Sequence, residues 1–296
     1  MTISIYLQGG LGNQLFQYAA AKALAEHYQS NLILDCSWFK YPPSGVTKRN
    51  LDLDFLNISC KKRWSQIPSK SKNKLALLLS SFLPFGPIIK IERNAFYFNK
   101  SLLNLNGLNK RDLTLIGYWQ SYKYFEKIRP LLQNEFRVLP FVDNFYQPEL
   151  DKIHATESVM LHIRRGDYVS SPSAAKMHGA LGIEYYLSAI NLILEKISNP
   201  HFFVFSDDLP WAKESLPKNL NISFVENSLK LDAAAQELQL MRECKHHIIA
   251  NSSLSWWGAW LKNDLNGLVI APNRWISDKN LDLSDLLPPN WQRLPA

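Results

Sequence analysis

Cysteine is scarce in this 296-residue sequence: Cys36, Cys60 and Cys244 are the only three. They are odd in number, far apart and without a CxxC pair, so they make neither a disulfide framework nor a zinc site. No GxxxxGK[ST] stretch occurs, so a P-loop is excluded. No HExxH or clustered His/Cys points to a metal. His246 and His247 are adjacent at the start of a predicted strand, where neighbouring side chains face opposite ways and cannot share an ion.

Long apolar runs are also few. Residues 75–89 (LALLLSSFLPFGPII) fall short of the roughly 20 residues a membrane span needs, and Pro84, Gly86 and Pro87 interrupt them. A core helix ending in a turn is the simplest reading. The alternative is an interfacial segment, since Lys72, Lys74 and Lys90 at its flanks favour anionic lipid. Met1 leads straight into Ile3, Ile5 and Leu7 without the charged and apolar regions of a signal peptide. The sequons at Asn57, Asn221 and Asn251 stay unmodified in a chain outside the secretory route. The cytoplasm is the expected address, with peripheral contact to the inner face of the membrane as the extension of it.

With 46% hydrophobic and 20% charged residues, the chain reads as a folded globular protein rather than a disordered one. A net charge of +7 favours an anionic partner, such as a nucleotide, a nucleic acid or an acidic membrane, although a mildly basic solvated surface needs none. The basic residues are dispersed, with no stripe interleaved with aromatics, which argues against nucleic acid.

The opening reads as a βαβ unit: strand 3–7, alanine-rich helix 13–28, strand 31–35. In the turn QGGLGNQ, Gly10 and Gly12 supply GxG, but Leu15 stands where a dinucleotide fingerprint has its third glycine. Two readings stay open there, a close approach of backbone to a ligand and a simple tight turn, with Asn13 at or near the helix N-cap. Asp52 and Asp54 match a metal-binding DxD, yet LDLDF alternates like a half-buried strand with both acids on its wet face. A strand at 113–118 and a helix over 122–137 follow. The stretch 140–148, rich in Pro, Asn and aromatics, looks like a crossing between domains at 1–145 and 146–296.

Beyond 158 the rhythm is regular. Strands at 159–163, 201–205, 222–225, 247–250 and 268–271 alternate with helices at 183–197, from 208, at 232–244 and at 254–261. That alternation predicts a parallel, doubly wound sheet. The tail beyond Pro272 is expected to pack back across the domains.

The carboxyl ends of those strands carry HIRRGDY, Ser206-Asp207-Asp208, Glu226-Asn227-Ser228, Asn251-Ser252-Ser253 and Pro272-Asn273-Arg274. On one edge of one sheet they make a concave polar site. Arg164 and Arg165 offer guanidinium forks that match phosphate oxygens. Gly166 allows a sharp turn, and Asp167 can lock a guanidinium or accept a proton. At Ser252 and Ser253 a strand hands over to a helix, whose first turn has unpaired N–H groups and the positive end of the dipole. Of Trp256, Trp257 and Trp260 at least one belongs to the core. Arginine on one side and serine turn on the other form a clamp for a diphosphate. Without a metal, that fits transfer from a nucleotide sugar better than phosphoryl transfer.

HIRRGDYV, FSDD and NSSLSWWGAWL, with GGLGNQLFQYA and GYWQSYKYF before them, closely resemble the motifs of bacterial α-1,2-fucosyltransferases, glycosyltransferase family 11. The resemblance runs in order from about residue 7 to 261, with Leu254 where many relatives have phenylalanine. It implies a GT-B-like α/β fold, two Rossmann-like domains facing across a cleft, the first on the acceptor side and the second for the donor. It further implies GDP-fucose as donor, no obligatory metal or cofactor, and transfer with inversion to the 2-hydroxyl of a galactoside in surface glycan or O-antigen synthesis. The acceptor would be a galactose-terminated oligosaccharide or lipid-linked glycan.

By the same likeness Arg164 holds the β-phosphate, Arg165 and Asp167 shape its loop, and Ser252 and Ser253 bind the pyrophosphate. His162, Asp207, Asp208 and Asn251 line the donor pocket. Glu237, fifteen residues before Ser252, stands where related enzymes read guanine, although a solvated helix face is the competing reading. Asp167 is the first choice of base and His178 its competitor. Gly10, Gly12, Asn13 and Gln14 are the expected acceptor contacts. Another nucleotide-sugar transferase and a non-catalytic carbohydrate- or nucleotide-binding module are the rival readings.

Overall fold

The apolar alternation at the start places Ile3 and Ile5 in the core of β1 (Thr2–Tyr6), the middle strand of a fully parallel five-stranded sheet. The computed structural model describes residues 1–43, 48–64, 87–104, 111–139, 143–170, 175–176, 179–278 and 281–296. Two units divide after Phe136, ahead of the position 145 expected for a domain boundary.

In the first unit, β2 (Asn31–Asp35), β3 (Lys61–Arg63), β4 (Ile88–Ile91) and β5 (Leu113–Ile116) join β1 in the order β3-β2-β1-β5-β4. Helix α1 (Leu11–His27) is buried nearly throughout to Ala25, and its five alanines between 19 and 25 let it lie close on the sheet. Its N-cap is Gly10, so Asn13 sits inside the first turn rather than at the cap. A short α2 (Ser37–Lys40) follows β2.

Several expectations are corrected here. LDLDF is no strand: Asp52–Phe55 is a 3-10 turn with only Leu53 buried. The expected helix over 122–137 is two 3-10 turns and then α3 (Arg129–Glu135). Pro130 is the reason, since it suits the first turn of a helix and cannot sit inside one. Of the apolar stretch 75–89, residues 75–86 lie outside the described residues, while Ile88 and Ile89 open β4. No helix among the described residues is long and apolar enough to cross a membrane.

The second unit holds a fully parallel sheet of β6 (Glu157–Ile163), β7 (Pro200–Ser206), β8 (Ile222–Phe224), β9 (His246–Ile248), β10 (Val269–Pro272) and β11 (Gln292–Leu294), ordered β11-β10-β9-β6-β7-β8. Around it lie α4 (Gln147–Ala155), α5 (Gly166–Ser170), α6 (Ile183–Lys196), α7 (Leu209–Ser215), α8 (Ala233–Glu243) and α9 (Ser253–Leu261). Helix α6 buries Tyr186, Ala189, Ile190 and Ile193, one stripe at helical spacing, against Val159, Leu161 and Ile163 of β6.

Helix α4 begins inside the stretch expected to be a crossing, with Pro148 in its first turn. In the tail, β11 adds a parallel edge strand beside β10, and Trp291 rests 5.5 Å from Trp256. The α/β class and the two Rossmann-like units therefore stand as expected. In the second sheet the strand order reverses between β6 and β9, whereas the first descends as β3-β2-β1 and again as β5-β4, without a reversal. Parallel sheets of this kind bind ligands beyond the carboxyl ends of the two strands at such a reversal.

Candidate active site

Strand β6 is buried on both faces and ends at Ile163, so Arg164 and Arg165 are the first side chains free to leave the sheet. Each is met by one carboxylate from the end of β7. Arg164 Nη1 lies 2.9 Å from Asp207 Oδ2. The Arg165 main-chain N–H donates to Asp207 Oδ1 at 2.8 Å, and its Nε donates to Asp208 Oδ2 at 3.2 Å. Its guanidinium also lies 4.0 Å from the centre of the Trp211 ring. Asp208 meanwhile caps α7, accepting from the Trp211 N–H at 3.2 Å. A Cβ on residue 166 would come within 2.7 Å of Asp207 Oδ2, so glycine is what lets the carboxylate close on the arginine loop.

The other half of the site comes from β9, the strand beside β6 across the reversal. Ser252 is the N-cap of α9 in extended conformation, and its side chain makes no capping bond. The first-turn N–H groups have no intrahelical acceptor and carry the positive end of the helix dipole. Behind them Trp256, Trp257 and Trp260 are all buried, in line with the expectation that at least one belongs to the core. Trp256 Nε1 donates to the Leu286 carbonyl at 2.9 Å, which anchors the helix. The Asn251 side chain donates to the carbonyls of Gly179 and Trp275 at 3.1 and 3.2 Å, and is spent on holding the turn.

Tyr168 joins the halves. Its ring lies 5.5 Å beneath the Arg164 guanidinium, and its hydroxyl donates to the Asn251 carbonyl at 3.1 Å. Sequence reasoning gave Tyr168 and Trp211 no role; a tyrosine inside HIRRGDYV was the available signal for the first.

Glu237 reaches the same place from α8. Burial pushes its carboxyl up to about 7, Asp207 adds to the rise, and Arg164 pulls against it. It is partly exposed and makes no hydrogen bond or ion pair among the described residues. His162 is buried under the site. Burial holds its imidazole down to about 4, outweighing Asp207, so it is neutral and offers a phosphate no charge. The Asp167 side chain and the whole of His178 lie outside the described residues.

The expected acceptor residues fall at the carboxyl end of β1, in the first unit. The glycine that the turn requires is Gly9, with φ +82, rather than Gly10, where a Cβ would meet open space. Gly12 is buried in the first turn of α1. Gln14 is fully buried and used internally: its amide donates to the carbonyls of Gly9 and Asn50 and accepts from the Leu53 N–H. Asn13 Oδ1 accepts from Gln120 Nε2 at 2.8 Å. The two acids of the DxD part company: Asp54 pairs with Lys62, while Asp52 accepts from the Leu11 N–H and is raised by burial to about 6.

Fold and rim define an α/β protein whose second sheet opens, at its strand reversal, on arginines and a helix N-terminus suited to a diphosphate. The chain matches the model of glycosyl transferase family 11 over residues 2–294 and belongs to that family. It is 37% identical to an alpha-1,2-colitosyltransferase of Escherichia coli, covering 97% of both chains. It is 34% identical to the O-antigen biosynthesis glycosyltransferase WbnK of Escherichia coli, covering 93% of this chain and 95% of the other. The crystal structure of fucosyltransferase NodZ from Bradyrhizobium is similar over 88% of this chain and 93% of that one, at 11% identity and a TM-score of 0.48.

Proposed function

We propose that the chain is an inverting α-1,2-fucosyltransferase that moves L-fucose from GDP-β-L-fucose to the 2-hydroxyl of a terminal galactoside, in surface glycan or O-antigen synthesis. The observation that carries the donor half is the meeting of Arg164, the Ser252–Ser253 turn and Glu237 at one strand reversal. A carboxylate can accept both the N1–H and the exocyclic N–H of guanine, and Glu237 has no competing hydrogen bond or ion pair among the described residues. The second unit thus takes the nucleotide, and the first, with Gly10, Gly12 and Asn13 at its turn, takes the acceptor.

In the reaction the bond from the sugar C1 to the β-phosphate oxygen breaks as the acceptor oxygen bonds to C1 from the opposite face. Positive charge grows on the ring, and negative charge grows on the departing GDP. Arg164 and the first turn of α9 meet that negative charge where it develops, in place of a metal ion. Asp207 and Asp208 hold the guanidinium groups ready, and Asp167 or His178 takes the acceptor proton.

One Escherichia coli relative is named an alpha-1,2-colitosyltransferase, and colitose is L-fucose without the 3-hydroxyl, which favours one competing donor sugar. The acceptor is a galactose-terminated oligosaccharide, free or lipid-linked, and the work is done in the cytoplasm or at the inner face of the membrane. The test is a thermal-shift screen of GDP, UDP, ADP and CMP with and without magnesium, followed by transfer assays with GDP-fucose and GDP-colitose on a galactoside. Stabilisation by GDP alone and product from GDP-fucose are expected. Stabilisation by UDP instead would overturn the donor class, and product from GDP-colitose alone would replace the sugar. Binding of GDP without transfer from either donor would leave a non-catalytic module.

A further inference from the structure

Strand β5 pairs with β1 in the first sheet, so the turns after these strands, 7–10 and 117–121, are neighbours beyond its carboxyl edge, the edge on which parallel α/β sheets take ligands. The second of these turns is held in an unusual way. Glu92, just past β4, accepts from two successive main-chain N–H groups, Tyr118 at 2.6 Å and Trp119 at 2.9 Å. A Cβ on residue 117 would collide with the Glu92 side chain, so Gly117 is required for that grip. Trp119 then adopts φ +55, a left-handed conformation that bulky residues rarely take. Backbone strain of this kind persists where the surroundings impose it, and it concentrates at ligand sites.

What the strain achieves is a division of labour along the turn. Trp119, Gln120 and Ser121 are buried, whereas Tyr118 stays 36% exposed. Gln120 donates to Asn13 in the first turn of α1, fixing the turn against that helix. Two buried donors of the turn, Trp119 Nε1 and Ser121 Oγ, have no hydrogen-bond partner among the described residues. Burial raises the Glu92 carboxyl to about 7 against the pull of its two N–H donors, so the fold keeps this acid at a cost.

We propose that this edge of the first sheet binds a sugar ring of the acceptor, with Tyr118 as the residue that stacks on it and Glu92 as the positioning residue that presents Tyr118. A tyrosine ring suits a sugar because its apolar face covers the C–H groups while its polar edge stays wet. The assignment rests on the reading of the chain as a transferase acting on a galactoside, and it names the surface that reading left open.

The test uses the full chain and the variants Tyr118→Ala, Tyr118→Phe, Glu92→Gln and Glu92→Asp. Binding of methyl β-galactoside is followed by saturation-transfer NMR, which needs neither donor nor turnover, and GDP binding is followed by calorimetry. Tyr118→Ala is expected to weaken galactoside binding, and to raise the acceptor KM, by about tenfold or more, with GDP affinity and kcat within about twofold. Tyr118→Phe keeps the ring and should behave as the parent. Glu92→Gln should show the KM defect with GDP affinity intact, and Glu92→Asp should recover part of it.

Unchanged galactoside binding in Tyr118→Ala, or an equal loss in Tyr118→Phe, would overturn the stacking role. Loss of the fold in both Glu92 variants would make Glu92 merely structural. Because the galactoside signal is read without a nucleotide, failure of the donor assignment would leave it standing and be told apart.

Discussion

The Tyr168 hydroxyl donates to the Asn251 carbonyl at 3.1 Å, while the ring of the same tyrosine lies 5.5 Å from the Arg164 guanidinium. One side chain therefore couples the two loops that flank the strand reversal of the second sheet. Tyr168→Phe keeps the ring and removes the bridge. A single hydrogen bond of this sort contributes about 1 kcal/mol net, so calorimetry should find GDP binding weakened by about fivefold, with little change in melting temperature. Unaltered affinity would show that the loops are held apart from this bond.

Arg164→Ala removes the charge placed against the departing diphosphate. Loss of such a contact in comparable sites costs ~2.7–4 kcal/mol, so kcat/KM should fall by about a hundred- to thousandfold in steady-state assays. The circular dichroism spectrum should stay that of the parent, because the side chain leaves the sheet rather than filling its core. A variant keeping a tenth or more of the parent rate, on the order of 1.4 kcal/mol, would speak against the clamp.

Glu237 ties stability to pH. Its folded pKa, about 7, lies above the ordinary carboxylate value of 4.5, so the folded state holds the proton more tightly than the unfolded one. Stability is then full at acid pH and declines as pH rises through the window from 4.5 to about 7. Glu237→Gln removes the buried charge. Thermal melts without nucleotide should show it more stable than the parent at pH 8 and equal to it near pH 4. GDP affinity should change in the opposite sense, falling and losing its rise with pH. Glu92 titrates in the same window, which is why the comparison is variant against parent. A Gln variant that is no more stable at pH 8, or that binds GDP as well as the parent, would remove Glu237 from the guanine site.

Gly258 lets α9 approach α8, since a Cβ there would lie 2.7 Å from Met241 Cβ. Gly258→Ala should destabilise the second unit by about 1–3 kcal/mol in urea unfolding, as overpacked cores do. With the helix displaced, GDP affinity should fall too. A change in neither would show that the contact relaxes freely.

Apolar runs alternating with helical stretches made the parallel α/β class legible beforehand, because periodicity is local: β2 and the span of α6 were readable nearly to the residue. The same locality hid β3, whose KKR has no apolar alternation, and turned LDLDF into a strand that does not exist. Polar strand ends were visible too, and with them Arg164, Ser252 and Ser253.

Local pattern does not carry strand order, and order decides which ends are neighbours. Only the tertiary structure sets β9 beside β6, pairs Asp207 and Asp208 with the successive arginines, and brings Glu237 near them with no hydrogen bond or ion pair among the described residues. Residue types and their places along the chain were thus determined by sequence alone. Their charge states and mutual grip depend on burial and through-space distance, which long-range packing of the sheets settles.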